Sequence, residues 1–392
     1  LINIIVILNI LILGLGNTNE YKLEIKLAIQ GSGNINFINN GFYLEPFEVR
    51  VNGIQKDSCK KSCSFENDLN NVTIKFDKLI NTCANMFKGL TNIIEIDLSN
   101  LDTSKVATMF SMFEGCSNLE KINFGNINTS AVQNMSYLFS YCYKLQSIDL
   151  SKFDTFFVIN MERMFRGCRS LQTLNVSNFK TSKVISMESM FYGCILLESI
   201  DISCFDTSKV TSMAYMFYDC LNLISINFGN INTSSVKDIQ RMFSFCQKMT
   251  TIDISNFDTS KVISIAGMFS FCTQLKIVNL EKMDISSVVN MESLFEYCIN
   301  LRSADLSSFD TSSVTDMGWM FSSCYKITSI KFSKSFNTSN VVSMYSMFSY
   351  CKKLISIDLS SFDTKNVKRM NYMFEYCENL KFLNLSKFSP IN

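Results

Sequence analysis

Apolar and polar positions along this chain recur with a fixed step of 26 residues. The segment FDTSKVTSMAYMFYDCLNLISINFGN, 205–230, can be slid along the sequence in that step. Its cysteine lands on Cys116, Cys142, Cys168 and onward to Cys324. One extra residue near Lys334 and Ser335 then shifts the column to Cys351 and Cys377. Leu90 holds the same column in the first copy, so twelve repeats run from about residue 75 to 387. Within each repeat, Val210, Met213, Met216, Phe217 and Cys220 are spaced for one face of a short helix. Asp206, Thr207 and Ser208 just before it predict N-cap chemistry. Ile226 and Phe228 then alternate with Asn227, the period of a strand. No single repeat can bury its own apolar face, so the copies must stack into a solenoid.

The expected fold is an α/β solenoid: a leucine-rich-repeat-like curved array with a concave parallel sheet and short convex helices. Strands stack at about 4.8 Å and helices at about 8–10 Å, so the helical side should be longer and bend the array. Residues 17–74 lack the 26-residue step. Tyr21, Leu23, Ile25 and Leu27 alternate with polar residues, as do Phe47, Val49 and Val51, and Val72, Ile74 and Phe76. Turn signals at Gly31-Ser32-Gly33 and Asn39-Asn40-Gly41 separate such runs. A small β-rich cap is expected there, with the solenoid at 75–387 and a tail or truncated end at 388–392. Residues 1–16 predict a signal peptide: Ile4 to Leu15 is apolar but too short to span a bilayer, and cleavage is expected near Gly16. No second run of spanning length follows.

The repeat L-x-x-I-D-L-S-x-F-D-T-S-x-V-x-x-M-x-x-M-F-x-x-C, here LESIDISCFDTSKVTSMAYMFYDC at 197–220, resembles the BspA-like leucine-rich-repeat surface proteins. It is most similar to the subgroup sharing the lipoprotein-associated repeat of mycoplasmas. The resemblance covers all twelve repeats and implies a secreted or surface-attached, non-enzymatic protein used for adhesion. No cysteine follows the apolar leader where a lipoprotein anchor would need one.

Composition narrows the chemistry. The chain of 392 residues has no histidine, which removes His-based acid–base catalysis and every His-containing metal site. Lys and Arg number 36 against 35 Asp and Glu, and no basic cluster exceeds a doublet, so nucleic-acid binding finds no support. No cofactor or metal motif is present, and no catalytic residues are assigned. The periodic cysteines are expected to be core thiols, because neighbouring helices would hold them beyond disulfide range. The methionine and phenylalanine columns are expected to fill the core. Cys59 and Cys63 lie in a polar stretch and are candidates for a local disulfide, with Cys83 as an alternative partner for either.

Two outward columns are candidates for a binding surface. Asp149, Asp201, Asp253 and Asp305 alternate with amides such as Asn175, Asn227 and Asn279 at the outward strand position. Alternation keeps like charges two rungs apart and allows side-chain ladders. The position before cysteine is aromatic at Tyr141, Phe245, Phe271, Tyr297, Tyr350 and Tyr376, with Trp319 available to the same surface. Exposed, these rings would form a strip suited to a protein or glycan partner; alternatively each packs over its neighbour's turn. The expected function is adhesion or recognition at a cell surface or in the medium. The competing readings are a self-associating structural surface protein and, if Ile4 to Leu15 is not a signal, an intracellular leucine-rich-repeat scaffold.

Overall fold

A computed structural model describes residues 23–333 and 336–389. The expected signal segment therefore lies outside the described residues, as does the inserted residue near Lys334 and Ser335. The described chain begins with β1 (Leu23–Gln30), β2 (Gly33–Asn36), β3 (Glu48–Val51), β4 (Ile54–Gln55), β5 (Ser62–Phe65) and β6 (Leu69–Lys75). Alternation dictates these strands: Leu23, Ile25, Leu27 and Ile29 are all buried along β1. β6 lies antiparallel between β1 and β3. The other edge of β1 pairs antiparallel with β7 (Ile93–Leu101), the first strand of the array, which pairs parallel with β8 (Lys121–Asn123). One six-stranded sheet in the order β4-β3-β6-β1-β7-β8 thus joins the N-terminal segment to the repeats. It also covers an edge that would otherwise expose a row of unpaired backbone groups.

Beyond β8 the strands are short and paired two by two, each partner 26 residues on. β9 (Ser199–Asp201) pairs with β10 (Ser225–Asn227) and β11 (Thr251–Ile252) with β12 (Ile277–Val278). β13 (Ser303–Leu306) pairs with β14 (Ser329–Phe332) and β15 (Ser356–Asp358) with β16 (Phe382–Asn384). The continuous parallel sheet expected from the sequence is therefore broken into pairs. An unbroken ladder lies elsewhere: ten parallel bridges run from Thr108↔Asn134 to Ser343↔Arg369. The molecule is a β-solenoid of about eleven turns.

The convex helices do not form; no helix occurs among the described residues. Residues 109–116 show why. The N–H groups of Met112, Glu114 and Cys116 bond back three residues, to the carbonyls of Met109, Ser111 and Phe113. The N–H groups between them, on Met109, Ser111, Phe113 and Gly115, point along the array. They bond the carbonyls of Asn134, Ser136, Leu138 and Ser140 in the next rung, at 2.7–3.0 Å. A helix would need every N–H directed to the residue four earlier. Two left-handed residues per rung prevent that, here Ser111 at φ 53° and Gly115 at φ 75°. The Val-Met-Met-Phe-Cys spacing is met by overlapping three-residue turns as well as by a helix. Asp206 and Thr207 accordingly cap nothing helical: Asp206 Oδ1 accepts from Ser208 N at 3.0 Å, and the Thr207 hydroxyl donates to Asn232 O in the next rung at 2.6 Å.

With both sides of each rung hydrogen-bonded to the next, helix spacing no longer sets the length of the turn side. The phenylalanine column confirms this. From Phe87 to Phe374 successive rings are stacked with centroids 5.4–6.0 Å apart, far below the 8–10 Å of packed helices. The bend argued from that mismatch loses its cause.

The methionine and cysteine columns complete the core. All eleven periodic thiols donate to the phenylalanine carbonyl of the preceding rung at 3.0–3.3 Å. Burial pushes Cys116, Cys168 and Cys272 up to about 12, so these thiols stay protonated. Cys83 takes the methionine position of the first rung and is fully buried. It is thus not a partner for Cys59 or Cys63, which are disulfide-bonded to each other with Cα atoms 5.1 Å apart.

Candidate functional site

The acidic column is built by local turns. Each of Asp149, Asp201, Asp253 and Asp305 accepts, through Oδ1, the N–H of the serine two residues on, at 2.9 Å. The side chain thereby closes the strand into the following turn. Asn123 and Asn227 make the same bond to Gly125 and Gly229, which accounts for the short acceptors that fill the column apart from Lys331. The column also reaches across rungs: Asn227 Nδ2 donates to Asp201 Oδ2 at 2.9 Å, and Lys331 Nζ to Asp305 Oδ2 at 3.0 Å. The bonds from Ser307, side chain and backbone, and then from Lys331, draw Asp305 down to about 2. Asp149 and Asp253 are lowered chiefly by the backbone N–H of Ser151 and Ser255. Asp149 lies on the wall of a groove of about 580 Å³ where β1 meets the first rungs. There Lys121 is already paired with Glu95 at 2.8 Å. The stripe is thus first a turn-forming device, with its outer oxygens facing water.

The aromatic column behaves differently. Phe245, Phe271 and Tyr297 form a stacked ladder with centroids 4.3 and 4.7 Å apart and planes within 9°. Tyr350 and Tyr376 stack at 4.7 Å. The rings pack on their neighbours yet stay accessible: Tyr297 is 36% exposed and Tyr376 55%, while Phe245 and Phe271 are half-buried. Tyr141 stands apart; its ring lies over Gly167, where a Cβ would meet Tyr141 Cδ1 at 2.7 Å. Sequence reasoning missed Tyr192 and Tyr218, two positions before cysteine, which stack at 4.7 Å and extend the ladder to Phe245. Their signal was a second aromatic in the adjacent column.

All six predicted rings sit in left-handed backbone, from φ 52° at Tyr376 to φ 64° at Phe245. Glycine occupies the same column at Gly89, Gly115, Gly167 and Gly193. Trp319, at φ 53°, contacts Tyr345 at 4.9 Å, and Tyr345 meets Tyr372 at 5.5 Å. Between Tyr297 and Tyr350 the ladder is interrupted by Ser323, and a groove of about 450 Å³ opens there beside Trp319. Among the described residues no group of three His, Cys, Asp or Glu side chains could hold a metal ion. No helix among them is long and apolar enough to cross a membrane.

Comparison with known proteins places the repeats. No curated protein matches the chain. A leucine-rich repeat protein from Eubacterium ventriosum aligns with 69% of this chain and 85% of its own, at 15% identity and a TM-score of 0.28. The functional domain of InlJ from Listeria monocytogenes, described as including a cysteine ladder, aligns with 68% of this chain and 60% of its own, at 13% identity and a TM-score of 0.17. At such values the fold rests on the hydrogen-bond ladders above and not on these neighbours. Residues 81–195, 160–278 and 265–388 each match the family described as Mycoplasma protein of unknown function, DUF285. Together those matches span well over half of the chain and all but the first few positions of the repeat array, so this protein belongs to the DUF285 family.

Proposed function

We propose that this protein is a secreted or cell-surface scaffold of the BspA-like kind, which binds a protein or glycan on another surface and performs no catalysis. One observation carries the reading: a partly exposed ladder of rings held in backbone that disfavours them. A left-handed conformation costs a side-chain-bearing residue about 1–2 kcal/mol, and a ring pair returns about 0.5–1.5 kcal/mol beyond its area burial. Glycine meets the same conformation without that cost at Gly115 and Gly193. Rings there are better explained by what they present outward than by what they add to the fold. The ladders give the display its rigidity, since each rung is bonded to the next through both backbone and thiol groups.

Replacing Phe245, Phe271 and Tyr297 together by serine tests this. Partner capture from host or neighbouring cells by the intact protein should fall at least tenfold, while circular dichroism and melting stay near those of the parent. Unfolding of the variant would instead make the rings core. A protein found only in the cytosol would remove the surface role.

A further inference from the structure

The columns just before cysteine read Glu296-Tyr297, Ser322-Ser323, Ser349-Tyr350 and Glu375-Tyr376 over four successive rungs. Large residues thus flank Ser322, Ser323 and Ser349. Ser323 is 3% exposed and too short to continue the ring ladder. One absent ring leaves Tyr297 and Tyr350 about 10 Å apart, two strand spacings. Trp319, Tyr345 and Tyr372 form the side wall, and Ser322, Ser346 and Ser349 lie buried at the floor. Glu296 and Glu375 stand at the two ends, three rungs or about 14 Å apart. Among the described residues no lysine or arginine lines the groove. Arg369 sits at its flank, its guanidinium 5.2 Å above Tyr345 and covering one face of that ring. Burial raises the Glu296 carboxyl above its ordinary range, so this carboxylate gains from an incoming cation.

Elsewhere the same columns show what such surroundings hold. Arg163 stands in the column of Trp319. Its guanidinium lies 5.2 Å over the Tyr137 ring, bonds the Tyr137 hydroxyl, and pairs with Glu162 and Glu188 at 2.8 and 2.9 Å. Arg166 stands in the column of Glu296 and Glu375. It lies between two rings, 5.3 Å from Tyr141 and 4.6 Å from Tyr192. In the groove those columns bring rings and carboxylates together with no arginine of the chain between them.

Resting on the display reading above, we infer that this groove receives an arginine guanidinium from an extended segment of a protein partner. The plane of the guanidinium matches a slot between ring faces, and its fork matches a carboxylate. A neutral sugar would bring neither carboxylate a cation within the groove, where Arg241 acts on Glu296 only from outside the lining. An anion would be repelled by them. A lysine ammonium would satisfy the charge but not the stacking.

Trp319 is the chain's single tryptophan, so its emission reports occupancy of this groove alone. The full chain is titrated with the peptide Gly-Arg-Gly-Arg-Gly, with its lysine and citrulline counterparts, and with a neutral hexose oligomer. The arginine peptide should shift Trp319 emission saturably. The citrulline peptide should bind at least tenfold more weakly, and the lysine peptide should fall between the two. The double change Glu296→Gln and Glu375→Gln should weaken the arginine peptide at least tenfold. Ser323→Tyr, which restores the missing ring, should abolish the shift with circular dichroism unchanged; if it fails to fold, the glutamine variant decides. Equal affinity for arginine and citrulline peptides, or preference for the hexose oligomer, overturns the inference. So does a partner captured by the intact protein whose binding ignores the glutamine changes, although that outcome leaves display itself standing.

Discussion

Thr207 shows how much of this fold rests on single polar atoms. It is fully buried, and its hydroxyl donates to Asn232 O in the next rung. Thr103, Thr129, Thr155 and Thr181 repeat the bond at 2.8–3.1 Å. At Thr129 and Thr155 the hydroxyl also accepts the N–H of the same residue to which it donates. Thr207→Val keeps shape but removes the part-buried bond to Asn232 O, which costs about 0.5–1.5 kcal/mol. A drop in melting temperature should follow, with Thr207→Ser recovering most of it; equal melting of the valine variant and parent would refute the assignment. The sequence announces these threonines as cap residues because Asp-Thr-Ser serves both purposes. Only the absence of a following helix turns the serine and aspartate into a turn and the threonine into a bridge.

At the scale of the element, the turn segment ending in cysteine is a stack of overlapping turns with a thiol as its last tie. Exposure separates the thiols: among the described free cysteines Cys204 is exposed, Cys377 half-buried and the others buried. Iodoacetamide on the native protein should label Cys204 fastest and Cys377 more slowly. The remainder should react only after unfolding, as mass spectrometry of the peptides would show. The buried thiols also give stability a pH dependence. Their pKa is higher folded, about 12 at Cys116, Cys168 and Cys272, than the ordinary 9.0. Above 9 the unfolded chain releases protons that the folded chain keeps, so folding stability is full below 9 and declines as pH rises toward 12. The slope is about 1.4 kcal/mol per pH unit for each such thiol. Thermal melts between pH 8 and 11 should show this decline, and Cys116→Ala combined with Cys168→Ala should make it shallower by the share of two thiols, the other buried thiols still contributing. A parent whose melting is independent of pH in that window would count against protonated core thiols.

For the molecule as a whole, the junction between β1 and β7 sets the behaviour of the open edge. Seven paired positions tie β1 to β6, and β1 in turn covers β7. Deleting residues 1–78 removes this cover and bares a strand edge beside Ile93 and Ile96, both buried in the intact protein. Size-exclusion chromatography should then show aggregates where the parent elutes as a discrete species. A monodisperse truncated chain would mean that the repeats protect their own edge.

The 26-residue step, the identity of the core columns and the β character of the first segment were legible in the chain alone, because each is a short-range pattern written in side-chain polarity. The sequence could not decide whether Val210, Met213, Met216, Phe217 and Cys220 lie on a helix. Their spacing fits both a 3.6-residue helix and a run of three-residue turns, and the residues that settle the matter, such as Tyr215 and Asp219 at φ 58° and 60°, give no local sign of left-handed backbone. Glycine at Gly115 and Gly193 was the one hint. The tertiary structure decided this by pairing alternate N–H groups with the next rung, a bond between residues 25 apart that no local pattern encodes. It likewise decided that β1 joins β7. The slot at Ser323 also belongs to the tertiary structure, since a small residue becomes a gap only when the rungs on either side bring rings up to it.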